Sequence, residues 1–186
     1  MKKILLGILG LMTIFTLSGC QQAKDITAEI KEKMGHPDHE KVDNAHEILD
    51  NVLAHIADHH SKLSFEDGEL LDSELGVPRF NVVSYSEIEH FNEEEVVDGF
   101  IVRPVVDVDN PKLLIVLEAV DKEASMNLNQ VLEKVKSDQW VKYRDGGLLI
   151  DHLINTNQIV RQGNYLIYVT WEGVEEIVKV FERHVR

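Results

Sequence analysis

Histidine is the residue type whose spacing most clearly suggests chemistry in this sequence. His55 and His59 lie four residues apart in a segment with helical periodicity, and this spacing lets two imidazoles bind one metal ion. A zinc site with histidine and carboxylate ligands is therefore one hypothesis. Six of the nine histidines fall in one short window, namely His36, His39, His46, His55, His59 and His60.

Two features of the same window argue against a metal site. No H-E-x-x-H motif is present, because His46-Glu47 is not followed by a second histidine at the required spacing. A helical projection also places His59 near the middle of the apolar face, beside Ile56, where a histidine more often packs against a neighbour than binds a metal. We therefore predict no metal ligands and no cofactor, and zinc binding remains the alternative.

The single cysteine of the chain, Cys20, stands at the end of an apolar leader. Lys2 and Lys3 precede an apolar run over residues 4–17, which is shorter than the ~20 residues that a membrane-spanning helix needs. Residues 1–19 thus have the layout of a secretory signal peptide. The sequence Leu-Ser-Gly-Cys that ends at Cys20 resembles the bacterial lipoprotein signal. This resemblance implies cleavage before Cys20, attachment of a diacylglycerol to its thiol and acylation of the new amino group.

Lipidation of Cys20 would leave no free thiol, and disulfides, a catalytic cysteine and cysteine-ligated zinc are then excluded. Removal of the leader takes away two of the 19 basic side chains and none of the 33 acidic ones. So acidic a surface makes nucleic acid and anionic lipid headgroups poor partners. The expected location is the extracytoplasmic face of the cell membrane, with the lipid on Cys20 as the anchor.

Catalytic motifs are absent from the sequence. It contains neither a G-x-S-x-G nucleophile elbow nor a glycine-rich phosphate loop, and no lysine, serine or threonine follows Gly146-Gly147. We therefore predict that the protein is not an enzyme and has no catalytic residues.

Several aromatic residues of the C-terminal half suggest a stacking platform for a cell-wall glycan. Strand alternation, however, makes both faces of their segment apolar, and packing in the core explains most of them without a ligand. The residues are Trp140, Tyr143, Tyr165, Tyr168 and Trp171.

The elements that must position these residues follow from hydrophobic periodicity. Residues 20–43 are polar and predict a tether. Residues 44–65 predict an amphipathic helix, and a short helical piece is predicted for residues 68–75, before Gly76. The apolar face of the amphipathic helix comprises Ala45, Ile48, Leu49, Val52, Leu53, Ile56 and Leu63.

Residues 66–186 predict an α+β domain made of two strand–strand–helix units. The strands of the first unit, FIVRPVVDV and KLLIVLEAV, flank an Asp-Asn-Pro turn, and those of the second, QIV and YLIYVTW, flank Gly163-Asn164. The apolar faces of the two helices comprise Leu128, Val131, Leu132 and Val135, and Val174, Ile177, Val178 and Phe181.

Together these units predict a two-layer fold with a four-stranded, mainly antiparallel sheet and helices on one face, preceded by the amphipathic helix. The continuous apolar run over residues 113–117 predicts a central strand or one covered on both sides. Pro104 predicts an edge strand or a bulge.

Several segments resemble the uncharacterised lipoproteins of domain-of-unknown-function family 4358. They are "LLIVLEAVD", "NLNQVLEKVKSD", "QIVRQGNYLIYV" with its Gly163-Asn164-Tyr165 turn, and "EEIVKVFERHV". The resemblance covers about residues 66–186, and the lipoprotein signal commonly accompanies this domain. Because the family carries no assigned activity, the resemblance implies a location and a fold only.

These observations predict a lipid-anchored lipoprotein of the cell envelope whose domain binds or interacts without catalysis. Its expected partners are the membrane, through the lipid on Cys20, and an envelope protein or cell-wall component. The alternative function is an extracytoplasmic lipoprotein that binds zinc or a small solute.

Overall fold

The computed structural model describes residues 44–87, 90–106 and 110–185. Residues 1–43, with the predicted signal peptide, Cys20 and the tether, lie outside the described residues. Of two compact units, residues 1–39 and 40–186, the second contains all the described elements. No helix among these elements is long and apolar enough to cross a membrane.

Four α-helices and seven strands make up the described domain, together with two short 3₁₀ helices, Tyr85–Glu87 and Glu93–Glu95. The helices are α1 (Ala45–His59), α2 (Lys122–Tyr143), α3 (Leu148–Thr156) and α4 (Val174–His184). The strands are β1 (Leu63–Glu66), β2 (Glu69–Asp72), β3 (Phe80–Ser84), β4 (Val96–Pro104), β5 (Leu113–Ala119), β6 (Gln158–Gln162) and β7 (Tyr165–Thr170).

Five strands form one antiparallel sheet in the order β3-β4-β5-β7-β6, and β1 and β2 form a separate antiparallel hairpin. Gly163 and Asn164 connect β6 to β7, as the Gly-Asn pair predicts. Gly163 has a φ of 61°, a left-handed conformation that glycine adopts without strain. The sheet therefore has β5 at its centre, paired with β4 on one side and β7 on the other.

Helices cover both faces of this sheet. On one face, α1 and α4 share a buried core with Leu114 and Val116 of β5. On the other face, α2 shares a second core with Ile115 and Leu117 of the same strand. Because successive side chains of a strand point to opposite faces, the continuous apolar run of β5 supplies both cores.

The α+β class, the antiparallel sheet and the central place of β5 are confirmed. The sheet has five strands rather than the four predicted, because β3 pairs with β4, and helices lie on both faces rather than on one. The pairing with β3 also makes β4 an inner strand, so Pro104 does not mark an edge, and the register shift of β4 lies between Val96 and Asp98, away from Pro104. Pro104 is instead the last residue of β4, where a missing N–H interrupts the ladder least.

The predicted helix over residues 44–65 is shorter in the structure. Asn44 caps α1, since its side chain accepts a hydrogen bond of 2.8 Å from the backbone N–H of Glu47, and the helix ends at His59. Leu63, which the prediction placed on the helical face, is the first residue of β1. The six apolar positions from Ala45 to Ile56 are buried as predicted.

The helical piece predicted for residues 68–75 is wrong, because this segment belongs to the β1–β2 hairpin. Asp67 and Gly68 form its turn, with φ of 50° and 82°. An Asp-Gly pair is a strong hairpin signal because both residues tolerate positive φ. The prediction rested instead on Gly76 and Pro78, which resemble the end of a helix.

The apolar faces predicted for the two later helices are confirmed. In α2, Leu128, Leu132 and Val135 are buried and Val131 is partly buried. In α4, the four predicted positions are all buried: Val174, Ile177, Val178 and Phe181.

Replacement of Leu53 by alanine should lower the free energy of unfolding by about 2–5 kcal/mol, because it leaves a cavity under α1. The matched control is Leu75→Ala, since the side chain of Leu75 is 73% exposed and its loss should change stability by less than ~0.5 kcal/mol. Urea denaturation of the leaderless chain measures both. Equal effects of the two substitutions would show that α1 does not cover the sheet.

Candidate functional site

A groove of about 530 Å³ opens at the end of the sheet where β4 ends and β5 begins. Three cationic side chains line it, Lys62, Arg79 and Lys112, and we call it the cationic groove. No carboxylate is among the described residues that line it, although the chain has 33 acidic side chains against 19 basic ones. The remaining lining residues are His60, Ser61, Leu63, Pro78, Phe80, Pro104, Val105, Val106 and Asn110.

Antiparallel pairing brings segments that are distant in sequence to this end of the sheet. The register Phe80↔Pro104 places the start of β3 beside the end of β4. A bridge between Leu71 and Pro78 ties the segment before β3 to the β1–β2 hairpin. The residue that follows α1, His60, accepts a hydrogen bond from the N–H of Leu63 at 2.8 Å. The backbone around the groove is therefore held in place by the five-stranded sheet and the β1–β2 hairpin.

Arg79 is oriented by a carboxylate that lies outside the lining. Its Nη1 donates to Oδ2 of Asp72 at 3.0 Å. The other oxygen of Asp72 accepts the backbone N–H groups of Glu74 and Leu75, both at 3.0 Å. These two N–H groups lower the pKa of Asp72 below its usual value, and Arg79 lowers it further. Asp72 is therefore ionised and holds the half-exposed guanidinium at the groove.

Lys112 is held in a similar way. Its Nζ lies 2.9 Å from Oε2 of Glu172 and 5.3 Å from the ring centroid of the buried Trp171. Its backbone N–H donates to Oδ1 of Asn110 at 3.2 Å, which fixes the turn before β5. An ammonium held over an indole ring is stabilised by the ring face, and the position of this cation is therefore well defined.

His60 supplies a polar group rather than a charge. Burial lowers the pKa of His60 below 6.5, Glu172 opposes this effect, and Lys112 and His59 lower the pKa further. At neutral pH the imidazole is therefore mostly uncharged, with one nitrogen that donates a hydrogen bond and one that accepts.

A second groove of about 300 Å³ lies beside the first and shares Pro104, Asn110 and Lys112 with it. Arg103 and Lys142 add two more cations here, and Asp138 is the carboxylate among its lining residues. The two grooves together form a band of five cationic side chains at one end of the sheet: Lys62, Arg79, Arg103, Lys112 and Lys142.

A buried hydrogen-bond network supports the second groove. Oε1 of Gln139, a lining residue, accepts from the hydroxyls of Tyr168 at 2.7 Å and Thr170 at 2.9 Å. Nδ2 of Asn157 donates to the Tyr168 hydroxyl at 3.0 Å. Burial raises the pKa of Tyr168 to about 12, and this phenol remains protonated and serves as a structural group.

The predicted pair of His55 and His59 is formed, but the exposure of the two side chains differs from the prediction. The rings of His55 and His59 lie 4.1 Å apart, and Nδ1 of His59 is 2.9 Å from the carbonyl oxygen of His55. His59 is exposed and His55 is half-buried, whereas the prediction turned His59 inward. The buried face of α1 ends at Ile56, and His59 lies in the last turn beyond it.

Of the other described histidines of the window, His60 lies beside the pair and lines a small cavity of about 60 Å³ with it, whereas His46 lies at the start of α1. His46 lies 3.6 Å from Asp50 and its ring packs near Phe100, at 5.3 Å between centroids. His36 and His39 lie outside the described residues. Within residues 44–87, 90–106 and 110–185, no group of three or more histidine, cysteine or acidic side chains could hold a metal ion.

The aromatic residues lie mostly in the core, as predicted. Tyr143, Tyr168 and Trp171 are buried and Tyr165 is partly buried, while Trp140 is exposed. They therefore present no continuous stacking surface for a glycan.

The fold and the groove together define an α+β domain with a cation-lined groove at one end of an antiparallel sheet. Comparison of the chain with models of known protein families, with curated proteins and with solved structures finds no match. The resemblance to domain-of-unknown-function family 4358 therefore stays a prediction from its motifs.

Sequence reasoning missed the cations of the groove. No recognisable sequence motif contains Lys62, Arg79 or Lys112. Only strand pairing brings these three residues together. The sequence does place an arginine next to a proline both before β3, in Pro78-Arg79, and at the end of β4, in Arg103-Pro104. These two arginines line the first and the second groove, respectively.

The pKa of His55 should lie below 6.5, because burial and the nearby His59 disfavour its charged form. Replacement of His59 by glutamine should raise this pKa without restoring 6.5, since burial is the larger cause. Because the pKa of His55 is higher in the unfolded chain, the unfolded chain binds the proton first as pH falls. Protonation of His55 should therefore lower the free energy of unfolding below pH ~6.5 and leave it unchanged at higher pH. NMR titration of the imidazole protons measures the pKa, and a value above 6.5 for His55 would contradict this assignment.

Proposed function

We propose that the protein is a lipid-anchored protein of the cell envelope whose domain binds an anionic ligand in the cationic groove without catalysing a reaction. The anchor is Cys20, and the location is the extracytoplasmic face of the cell membrane. The observation that carries the binding function is the groove itself, because cations line it in a strongly acidic chain.

The leader supports the anchoring. Two basic residues, an apolar run and Leu-Ser-Gly before Cys20 match the bacterial lipoprotein signal part by part. A single acyl chain gives only marginal membrane binding, and each buried methylene adds about 0.8 kcal/mol. Two or three chains on Cys20 would therefore hold the protein firmly without a second membrane signal.

The volume of the groove favours a small ligand or one segment of a polymer. Sites for small molecules typically occupy about 300–1,000 Å³, and the cationic groove falls within that range. Arg79 offers a forked donor to a phosphate or carboxylate group, and Lys112 offers a point charge. We therefore assign the groove to a phosphate- or carboxylate-bearing ligand, either a soluble solute or a unit of an anionic envelope polymer.

Among the described residues near the groove, the arrangement of carboxylates supports binding rather than catalysis. Asp72 and Glu172 are bonded to Arg79 and Lys112 and lie outside the lining of the groove. Neither carboxylate is therefore placed as a general base facing a ligand. Their effect is to hold the two cations in position.

Membrane anchoring should depend on Cys20. In Cys20→Ala the leader keeps its charge and hydrophobicity but loses the thiol, and processing should stall or release the protein from the membrane. Ser18→Ala is the matched control, because it retains a small residue and the cysteine and should behave as wild type. Fractionation with a size comparison of the products measures both. A Cys20→Ala protein that reaches mature length and stays membrane-bound would exclude the lipid anchor.

Anion binding should depend on the exposed cation of the groove. Lys62→Gln should weaken binding about fivefold, which corresponds to ~1 kcal/mol for one charge near the surface. Lys122→Gln is the matched control, since Lys122 is an exposed lysine that follows the opposite end of β5. Binding should also weaken as salt is raised.

Calorimetry of the leaderless chain with inorganic phosphate and with a short glycerol-phosphate oligomer tests these effects. Binding of phosphate alone would indicate a soluble ligand, and much tighter binding of the oligomer would indicate a polymer. The proposed groove is wrong if neither probe binds at about millimolar concentration, or if Lys62→Gln binds as well as Lys122→Gln does.

A further inference from the structure

Large exposed apolar side chains flank the connection between α2 and α3. Leu148 and Leu149, at the start of α3, are 89% and 84% exposed, and Trp140 and Val141, near the end of α2, are about half exposed. We call these four residues the apolar tip. Its two leucines are the most exposed large apolar side chains among the described residues.

The tip has a defined backbone. The N–H of Gly146 donates to the carbonyl of Tyr143 at 2.9 Å, and the N–H of Asp151 donates to the carbonyl of Gly147 at 2.8 Å. Gly147 has a φ of 91°, a conformation that other residues rarely adopt. The inward side chains of α3, Leu153 and Ile154, are buried. The leucines of the tip therefore point away from a helix that is already anchored by its other face.

From this geometry we infer that the apolar tip inserts into the outer leaflet of the membrane to which the protein is anchored. This inference rests on the proposed lipid anchor at Cys20. An exposed tryptophan near the end of α2 and two exposed leucines at the start of α3 suit a membrane interface, where an indole lies at the headgroup level and aliphatic side chains reach the acyl region.

The size of the tip favours a membrane over a second copy of the chain. A stable protein interface covers about 800 Å² on each partner, and four side chains at one helix–helix connection present much less. A fluid leaflet, unlike a folded partner, also needs no matching shape to receive exposed side chains.

The charges at the tip are compatible with insertion. Lys142 and Arg144 are balanced by Asp145 and Asp151, so the tip lacks the acidic excess of the rest of the chain. The guanidinium of Arg144 lies 5.7 Å from the ring centroid of Trp140, and its Nε lies 3.8 Å from Oδ2 of Asp145. The tip is therefore close to neutral, and an anionic leaflet would not repel it.

The membrane is also within reach of the tip. The 24 residues from Cys20 to residue 43 can span at most ~80 Å. A domain of about 140 residues has a radius of gyration of roughly 14 Å, so a chain of that length can bring any part of its surface to the leaflet. Once the anchor holds the domain near the membrane, insertion of the tip is an intramolecular step that needs only modest intrinsic affinity.

Fluorescence quenching of the lipidated full-length protein in vesicles tests the inference. The vesicles contain phosphatidylethanolamine and phosphatidylglycerol, with or without lipids brominated on the acyl chain. Brominated lipid should quench Trp140, whereas the buried Trp171 should stay bright and serve as an internal reference. Leu148→Ser/Leu149→Ser should abolish the quenching, and Leu75→Ser, which alters an exposed leucine elsewhere, should retain it.

Flotation of the same vesicles separates this inference from the anchor. Protein that floats with the vesicles but shows no quenching of Trp140 would overturn insertion of the tip and leave the anchor intact. Protein that does not float would show that the anchor itself is wrong. Quenching that survives the double substitution would also overturn the inference. Concentration-dependent dimers that the double substitution abolishes, without quenching in the wild type, would assign the tip to a second copy instead.

Discussion

The apolar side chains of β5 divide between the two faces of the sheet, and the packing of the domain depends on this division. Leu114 and Val116 complete the core beneath α1 and α4, while Ile115 and Leu117 complete the core beneath α2. Both edges of β5 are also paired, with β4 and β7. A strand enclosed in this way can carry no polar side chain in its middle without leaving it unpaired in the core. The polar chemistry of the domain is therefore displaced to the ends of the strands.

The cationic groove lies at one of these ends, and its charges depend on groups behind it. Asp72 holds Arg79 and Glu172 holds Lys112, and neither carboxylate is among the residues that line the groove. Each ion pair reduces the net positive charge that a ligand would meet, but it also fixes the position of the cation. Specific recognition of one anion needs this fixed geometry more than it needs a large net charge. The acidic remainder of the surface would also repel anionic groups that lie outside the groove, and it therefore favours recognition of one local anionic group.

Local signals in the sequence predict part of this structure, and tertiary pairing decides the rest. The faces of α2 and α4 follow from helical spacing, and the β6–β7 hairpin follows from Gly163-Asn164. Strand β3 was missed because FNVVS is short and only one of its residues is fully buried, so it depends on β4 for its structure. The exposure of His59 was missed because periodicity does not show where a core ends. The cationic groove could not be predicted, because its three cations come from separate segments that only the register of β3 and β4 and the β1–β2 hairpin bring together.

The strand order also has a consequence for how the chain folds. Every other neighbouring pair in the five-stranded sheet is adjacent in sequence, but β5 and β7 are separated by α2, α3 and β6. A chain that emerges N-terminus first can complete β3, β4 and β5 while one edge of β5 still has unpaired N–H and C=O groups. That edge belongs to β5, whose side chains are mostly apolar and buried, and an open edge of this kind is a template for aggregation. The late closure of a long loop, which brings the β6–β7 hairpin onto β5, is therefore the step that both completes folding and removes the hazard.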